Sequence, residues 1–576
     1  MSASPGSAPA STTTRAPSTG LSTGPATGPA TGPATAVDRR RWWTLAVLCI
    51  SLLVIVIDNT IVNVALPTLV RDLGSSISDL QWVVDAYSLV FAGLLLTAGT
   101  LGDRYGRKGA LTIGLVIFGL SSAAAAFASD VGSLIGARAV MGIGAALIMP
   151  ATLSILTNVF TDARERALAI GIWSGVAGIA VALGPVAGGF LLEHFWWGSV
   201  FIVNVPIVLG AIVAGHYLVP TSRNPEPHPI DWLGAALSAV ALVSLVWAII
   251  QAPHSGWTST SVLVAFGVAL IAGAAFTLRE LHTPYPMLNV RFFKNPRFTA
   301  ASATIMLTFF SLIGFVFLAT QYLQFVLGYS PLQAGVRTLP YAAAMIIAAP
   351  MSAKIVERFG TKRVVVFGML LFSAGLLEAS TATVTSGYTP VAIAMVLMGL
   401  GSGLVMAPAT DSIMGSLPPE HAGVGSAMND TTREIGAALG VAVIGSVMSS
   451  FYGPRVLQDV PAALPAQARD AIGDSVGAAS TVASQLGAGG NAVLDSAREA
   501  FVYAMQRASW VAAAVGLLGA LLAWKWLPAR AEPTHDDADI VLPAVELAPA
   551  YGPIETCDDH PDCVGATDVV DVAGAR

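Results

Sequence analysis

The sequence predicts an all-α polytopic membrane protein with fourteen transmembrane helices. Three observations carry that expectation. The chain of 576 residues is 54% hydrophobic and only 11% charged, where a soluble domain carries about a quarter charged residues. Its mean hydropathy is +0.70. Apolar runs of roughly 20 residues, the length that crosses a hydrocarbon core, recur from one end of the chain to the other.

Residues 1–37 are rich in Ser, Thr, Pro, Gly and Ala, with a Gly-Pro-Ala-Thr repeat from Gly24 to Thr35. Such a segment cannot bury enough apolar surface to order itself. It contains no apolar core, so it does not read as a signal peptide. The first apolar run follows Arg39-Arg40-Arg41-Trp42-Trp43 and is long enough to span. The runs then centre near residues 55, 91, 119, 142, 178, 208, 242, 269, 309, 343, 373, 401, 438 and 516. An even count places both termini on one side. The segment from Tyr452 to Ala500 reads as the longest loop, with short amphipathic helices at most.

Charge sets the orientation. Arg104, Arg107 and Lys108 follow span 2, and Arg164 and Arg166 follow span 4. Arg291, Lys294 and Arg297 follow span 8, and Arg358, Lys362 and Arg363 follow span 10. All share a side with Arg39–Arg41, while the opposite short loops are nearly free of Lys and Arg apart from Arg71. The positive-inside rule makes that side, and both termini, cytoplasmic. From Pro528 onward, eleven acidic residues stand against two arginines. That tail is therefore −9 within a chain of −6, which leaves the membrane body at +3.

The chain also repeats itself. Asp103-Arg104-Tyr105-Gly106-Arg107-Lys108 and Glu357-Arg358-Phe359-Gly360-Thr361-Lys362 match as acid, Arg, aromatic, Gly, any residue, Lys, 254 positions apart. The glycine permits a tight reversal between neighbouring spans. The acid can cap a helix start or pair with an Arg. A parallel repeat of two halves follows.

These residues also carry a family resemblance. Gly99 to Leu111 resembles the loop motif of the major facilitator superfamily, and Asp58 to Pro67 resembles the first-span motif of its fourteen-span drug/proton antiporters. Leu134, Arg138, Gly142 and Gly144 are similar to the fourth-span motif. Gly171, Gly184-Pro185 and Gly188-Gly189 are similar to the antiporter motif of span 5, with Ala180 where that pattern has a second Gly. Phe201-Ile202-Val203-Asn204-Val205-Pro206 on span 6 looks like the same branch. The resemblance covers about residues 40–527. It implies a major-facilitator fold of two six-helix halves plus two inserted helices. The expected divisions are a disordered cytoplasmic tail (1–41), an N-terminal half (42–220), inserted helices (231–280), a C-terminal half (299–527) and an acidic cytoplasmic tail (528–576).

Charged residues inside apolar spans usually face a cavity or a partner. Asp58 lies about fifteen residues past Trp43, which at ~1.5 Å each puts it beyond the midplane. It reads either as a carboxylate that loads and releases a proton or as a structural acid bonded to nearby backbone. Arg138 lies at comparable depth on span 4, and the resemblance implies a role in proton coupling. Its permanently charged fork can govern how readily a nearby carboxylate takes a proton. The alternative is a structural pair joining spans 1 and 4. Asp85 is a third coupling candidate, at the outer start of span 2. Glu378 and Asp411 are weak candidates for contacting a cationic substrate, and each is equally well an interfacial charge. Asp430 is spaced to pair with Arg433 beside Glu434, where a structural role is favoured. Gly99, Asp103, Arg104, Gly106, Gly171, Gly184, Pro185, Gly188 and Gly189 are gating candidates: small faces let helices approach closely, and Pro185 encourages a bend.

The resulting expectation is proton-coupled efflux of small organic compounds of the drug or antibiotic type across the plasma membrane, a bacterial inner membrane. Its partners would be the substrate, protons and lipid, with no nucleic acid, nucleotide, cofactor or metal. A symporter or uniporter is the rival within transport, and a membrane sensor or membrane enzyme the rival outside it. The chain has no G-x-x-x-x-G-K-[ST] loop, and within its apolar spans there is no H-E-x-x-H or G-x-S-x-G motif to support the enzyme. Cys49 is isolated, and Cys557 to Cys563 read as part of a solvated acidic tail rather than a metal site.

Overall fold

The computed structural model describes residues 36–73, 77–222, 231–284, 286–418, 421–461, 464–487 and 490–529. The Gly-Pro-Ala-Thr repeat and the Cys557–Cys563 segment lie outside the described residues. The first five helices are α1 (Ala36–Leu73), α2 (Ile77–Tyr105), α3 (Arg107–Ala126), α4 (Val131–Val159) and α5 (Ala163–His194). The sixth span is broken into α6 (Ser199–Ile202) and α7 (Asn204–Leu218). The inserted pair is α8 (Trp232–Ser255) and α9 (Thr260–His282). Then follow α10 (Pro296–Gln321), which ends in a π turn at Tyr322–Val326, α11 (Pro331–Val336) and α12 (Leu339–Phe359). The last are α13 (Thr361–Ala379), α14 (Thr389–Met414), α15 (Ala422–Asp459), α16 (Ala466–Asp474), α17 (Val476–Gln485) and α18 (Gly490–Trp526).

Each of the fourteen expected centres falls in one of these helices. Among the described residues, thirteen spans are long and apolar enough to cross a membrane. The fourteenth is α13, of 19 residues. Lys362, Arg363 and Glu378 lie near its two ends, so any stretch of it long enough to span carries all three charges.

Two boundaries differ from expectation. α1 already begins at Ala36, so Arg39–Arg41 belong to a helix rather than to a tail. Partners across the fold hold that extension: Arg41 pairs with Glu165, and an Arg40 Nη2 donates to the Tyr217 carbonyl at 2.7 Å. The loop from Tyr452 to Ala500 is mostly helix, because α15 runs to Asp459 and α18 starts at Gly490. Val456, Ile472, Val476 and Ala479 are buried in the same cluster as Val493 and Ala497. An Ala/Ser-rich composition conceals this, since small residues pack as well as they solvate.

Local chemistry accounts for the helix ends. The Asp130 carboxylate accepts from Ser133 N in a capping box that starts α4. Asp162 accepts from Arg164 N and Glu165 N at the start of α5. Gly106 (φ +114°) and Gly360 (φ +83°), the two repeat glycines, both take a conformation that a side chain would strain.

α1 packs on α5 and α7, and α4 packs on α2 and α3. α10 packs on α15 and α18, and α14 packs on α12 and α13. The two sets meet chiefly through α5 against α12 and α2 against α15, while the inserted α8 leans on α2. At Gly171 the backbones of α5 and α12 touch: a Cβ there would lie 2.7 Å from the Ala349 carbonyl oxygen and 2.9 Å from Pro350 Cα. One turn on, a Cβ at Gly175 would meet nothing closer than Ile346 Cα at 3.6 Å.

Two substitutions test this contact. Gly171→Ala must push backbone against backbone and is expected to lower stability by ~1–3 kcal/mol. Gly175→Ala has room and gains helix propensity, so it should be neutral or stabilising by up to ~1 kcal/mol. Thermal unfolding of the two purified variants in detergent gives the order.

Candidate functional site

Asp58 and Arg138 form an ion pair sealed in the interior, with both side chains fully buried. Arg138 Nη1 donates to Asp58 Oδ2 at 2.5 Å. The other carboxylate oxygen accepts from Asn204 Nδ2 at 2.8 Å. Asn204 Nδ2 also reaches Ser122 Oγ at 3.1 Å, and that hydroxyl donates to the Phe201 carbonyl. Arg138 Nε donates to the Val83 carbonyl at 3.0 Å, and its guanidinium lies 4.3 Å from the centre of the Tyr87 ring. One pair thus ties α1, α2, α3, α4 and α7 together. A buried charge is tolerable only with such partners. Among the described residues, Arg138 Nη2, Tyr87 OH and Asn204 Oδ1 are buried with no hydrogen-bond partner.

The expected pairing of Asp58 and Arg138 is therefore present as geometry, whereas Asp85 is not part of it. Asp85 is half-buried and makes no hydrogen bond or ion pair among the described residues. Asn204, which the sequence marks only as part of the span 6 motif, completes the carboxylate's shell. Its signal was visible: an amide in the middle of the apolar run Phe201–Pro206.

A second buried polar group occupies α15. Arg433 Nη1 stands 3.8 Å from Asp430 Oδ1, the expected spacing partner. Arg433 Nη2 donates to Thr410 Oγ1 on α14 at 3.3 Å. Asn429 Nδ2 donates to Asp430 Oδ1 at 3.2 Å. Glu434, the next residue, is half-buried.

Polar contacts join the two sets of helices at the basic end. Asp103 accepts from the Gly423 amide at 2.9 and 3.0 Å and from the Val424 amide at 3.3 Å, capping the start of α15. Arg107 Nε donates to the same carboxylate at 2.8 Å. Above them a Cβ on Gly99 would lie 2.6 Å from the Gly423 carbonyl oxygen. Arg166 on α5 binds Asp411 on α14 at 3.1 Å, and Arg164 binds Glu357 on α12 at 2.8 Å. Asp411 thus has a protein partner. Glu378 is half-buried near the end of α13, apart from these groups. The Arg104 guanidinium lies 5.4 Å from the Tyr105 ring.

The small residues of α5 divide between two neighbours. Gly184 and Gly188 face Thr60, Ile61 and Val64 of α1. Gly171 faces α12, Gly189 faces Leu332 of α11, and Pro185 lies against Gly335 of α11. Only this second group sits where the two sets of helices meet. Spacing along one helix could not separate them, because both faces read as small. Among the described residues no cluster of His, Cys, Asp or Glu is placed to hold a metal ion.

The Asp58 shell yields a ranked prediction. Asn204→Ala leaves one carboxylate oxygen without its donor and should cost ~1–3 kcal/mol. Ser122→Ala removes an acceptor that serves only the amide and should cost ~0.5–1.5 kcal/mol. Asn204→Asp sets a second carboxylate against the first and should be the least stable of the three. Melting temperatures of the purified variants provide the ranking.

A family model described as "Major Facilitator Superfamily" matches residues 48–441. The chain is 42% identical to the multidrug efflux pump LfrA of Mycolicibacterium smegmatis over 80% of this chain and 91% of that one. It is 36% identical to the tetracenomycin C resistance and export protein of Streptomyces glaucescens, over 84% and 91%. It is 35% identical to the methyl viologen resistance protein SmvA of Salmonella typhimurium, over 84% and 98%. Among solved structures, the human organic anion transporter MFSD10 shares the fold with a TM-score of 0.53 at 14% identity, over 85% of this chain and all of that one.

Proposed function

The chain belongs to the Major Facilitator Superfamily, and from that premise we propose that it exports small organic compounds of the drug or antibiotic type in exchange for protons. The observation that carries the reading is the Asp58–Arg138 pair: a carboxylate and a guanidinium held together out of reach of water. The relatives supply the substrate class, since each is named for efflux of, or resistance to, such a compound.

Asp58 is the proton carrier and Arg138 its positioning partner. Ionised, the carboxylate holds α1 against α4 and α7 through Arg138 and Asn204. A proton cancels its charge and loosens that hold, while Arg138 keeps the Val83 carbonyl and the Tyr87 ring. α1 packs through Thr60 and Ile61 on Gly184 and Gly188, so its movement is passed to α5 and from there to α12. The capped start of α15 and the Arg164 and Arg166 pairs hold the basic end shut until that movement arrives. Asp103, Arg104 and the α5 glycines serve this gate. Asp411 acts here as a latch, and Asp85 and Glu378 stand as secondary carboxylates. The protein acts in the bacterial plasma membrane with both termini cytoplasmic, the basic end facing the cytoplasm.

Two measurements test the reading. In proteoliposomes with an imposed pH gradient, Asp58→Asn should abolish uphill export and substrate-induced proton movement, while Asp58→Glu keeps part of both. Proton exchange at the parent rate in Asp58→Asn would move the coupling to Asp85 or Asp411. For orientation, each natural cysteine is replaced by Ser and single cysteines are labelled from outside intact cells. Ser484→Cys should react and Gly109→Cys should not, and the reverse pattern would invert the topology.

A further inference from the structure

Arg138 and Arg433 are both buried, and they are held differently. Arg138 is bound tightly within one set of helices, at 2.5 and 3.0 Å. Arg433 is held loosely. Its hydrogen bond to Thr410 is 3.3 Å long, its carboxylate partner is 3.8 Å away, and its Nε has no partner among the described residues. Two aromatic faces take up the difference: the guanidinium lies 5.0 Å from the Trp173 ring and 5.5 Å from the Phe309 ring.

Those rings come from α5 and α10, and the carboxylate from α15, so the arrangement bridges both sets of helices. It also contains unused capacity. Asp430 Oδ2 and Trp173 Nε1 are buried with no hydrogen-bond partner among the described residues. Trp173 is 0% and Asp430 1% exposed. Aromatic faces around a buried carboxylate are the chemistry that recognises an organic cation. At present the group filling that cage is a side chain of the protein itself.

We propose that the Trp173, Phe309 and Asp430 cage binds the charged group of an organic-cation substrate, and that Arg433 is a tethered cation occupying the cage between substrates. This rests on the transport reading above and names its substrate class. Displacing Arg433 gives up only one long hydrogen bond and a 3.8 Å carboxylate contact, and the incoming cation gains the two ring faces and the idle carboxylate oxygen. After release, Arg433 returns to the cage. Asp430 is then not left as an uncompensated buried charge, a state that is strongly unfavourable, and the carrier can complete its cycle empty.

The test is equilibrium binding to the full chain in nanodiscs at one pH, with no gradient and Asp58 intact, so that coupling does not enter. The probes are tetraphenylphosphonium, a permanent aromatic cation, and neutral triphenylphosphine oxide. Arg433→Gln removes the competitor and should tighten tetraphenylphosphonium about tenfold while leaving the neutral probe unchanged. Arg433→Lys should bind like the parent, and Trp173→Leu should weaken the cation several-fold more than the neutral compound. Unchanged or weaker cation binding in Arg433→Gln, or equal shifts for both probes, overturns the proposal. Should Arg433→Gln not purify as a folded protein, Thr410→Val takes its place. It strips the guanidinium of its hydrogen-bond acceptor and should tighten the cation several-fold, and unchanged affinity there counts against the proposal equally. Failure of pH-driven export with these shifts present would count against the coupling alone.

Discussion

The constraint on which this architecture depends is that a charge inside hydrocarbon must find its partner inside the protein. Asp58 is the clearest instance. One carboxylate in the first span requires a guanidinium from the fourth and an amide from the broken sixth, and the guanidinium in turn needs a carbonyl and a ring from the second. Satisfying that single charge brings most of the N-terminal helices into register. The apolar contacts around it supply packing, but apolar surface alone does not distinguish one helix face from another in lipid.

α5 connects this charged centre to the rest of the molecule. One of its faces packs on α1 through Gly184 and Gly188, and the other meets α11 and α12 through Gly171, Pro185 and Gly189. It also carries Trp173 to the cage around Arg433, and Arg164 and Arg166 to the basic end. Packing is therefore continuous from α1, which carries Asp58, through α5 to the second set of helices. Small residues make that packing possible, since they let backbones approach closely.

Arg138 and Arg433 show how differently two buried guanidinium groups are held. Short, charge-assisted hydrogen bonds hold Arg138 in one arrangement. Two ring faces and long contacts hold Arg433. The contrast depends on distance and on which helices contribute, neither of which is visible in a pattern of residue types.

By itself the sequence determined the fourteen spans, the charge asymmetry of their loops and the repeated turn whose glycines take positive φ. Each of these follows from one-dimensional rules: hydropathy over a fixed length, charge bias between loops, and a backbone that only glycine adopts cheaply. It also put Asp58 and Arg138 at one depth, because depth is a count of residues along a helix. Tertiary structure alone decided that Asn204 completes the carboxylate's shell, that Asp411 meets Arg166 from 245 positions away, and that Trp173 lies against Arg433. It likewise turned Gly184 toward α1 rather than toward the second half. In a span buried on several sides, polarity no longer marks which face points where. The rotation of each helix is set by the neighbours it packs against, and those neighbours are distant in sequence.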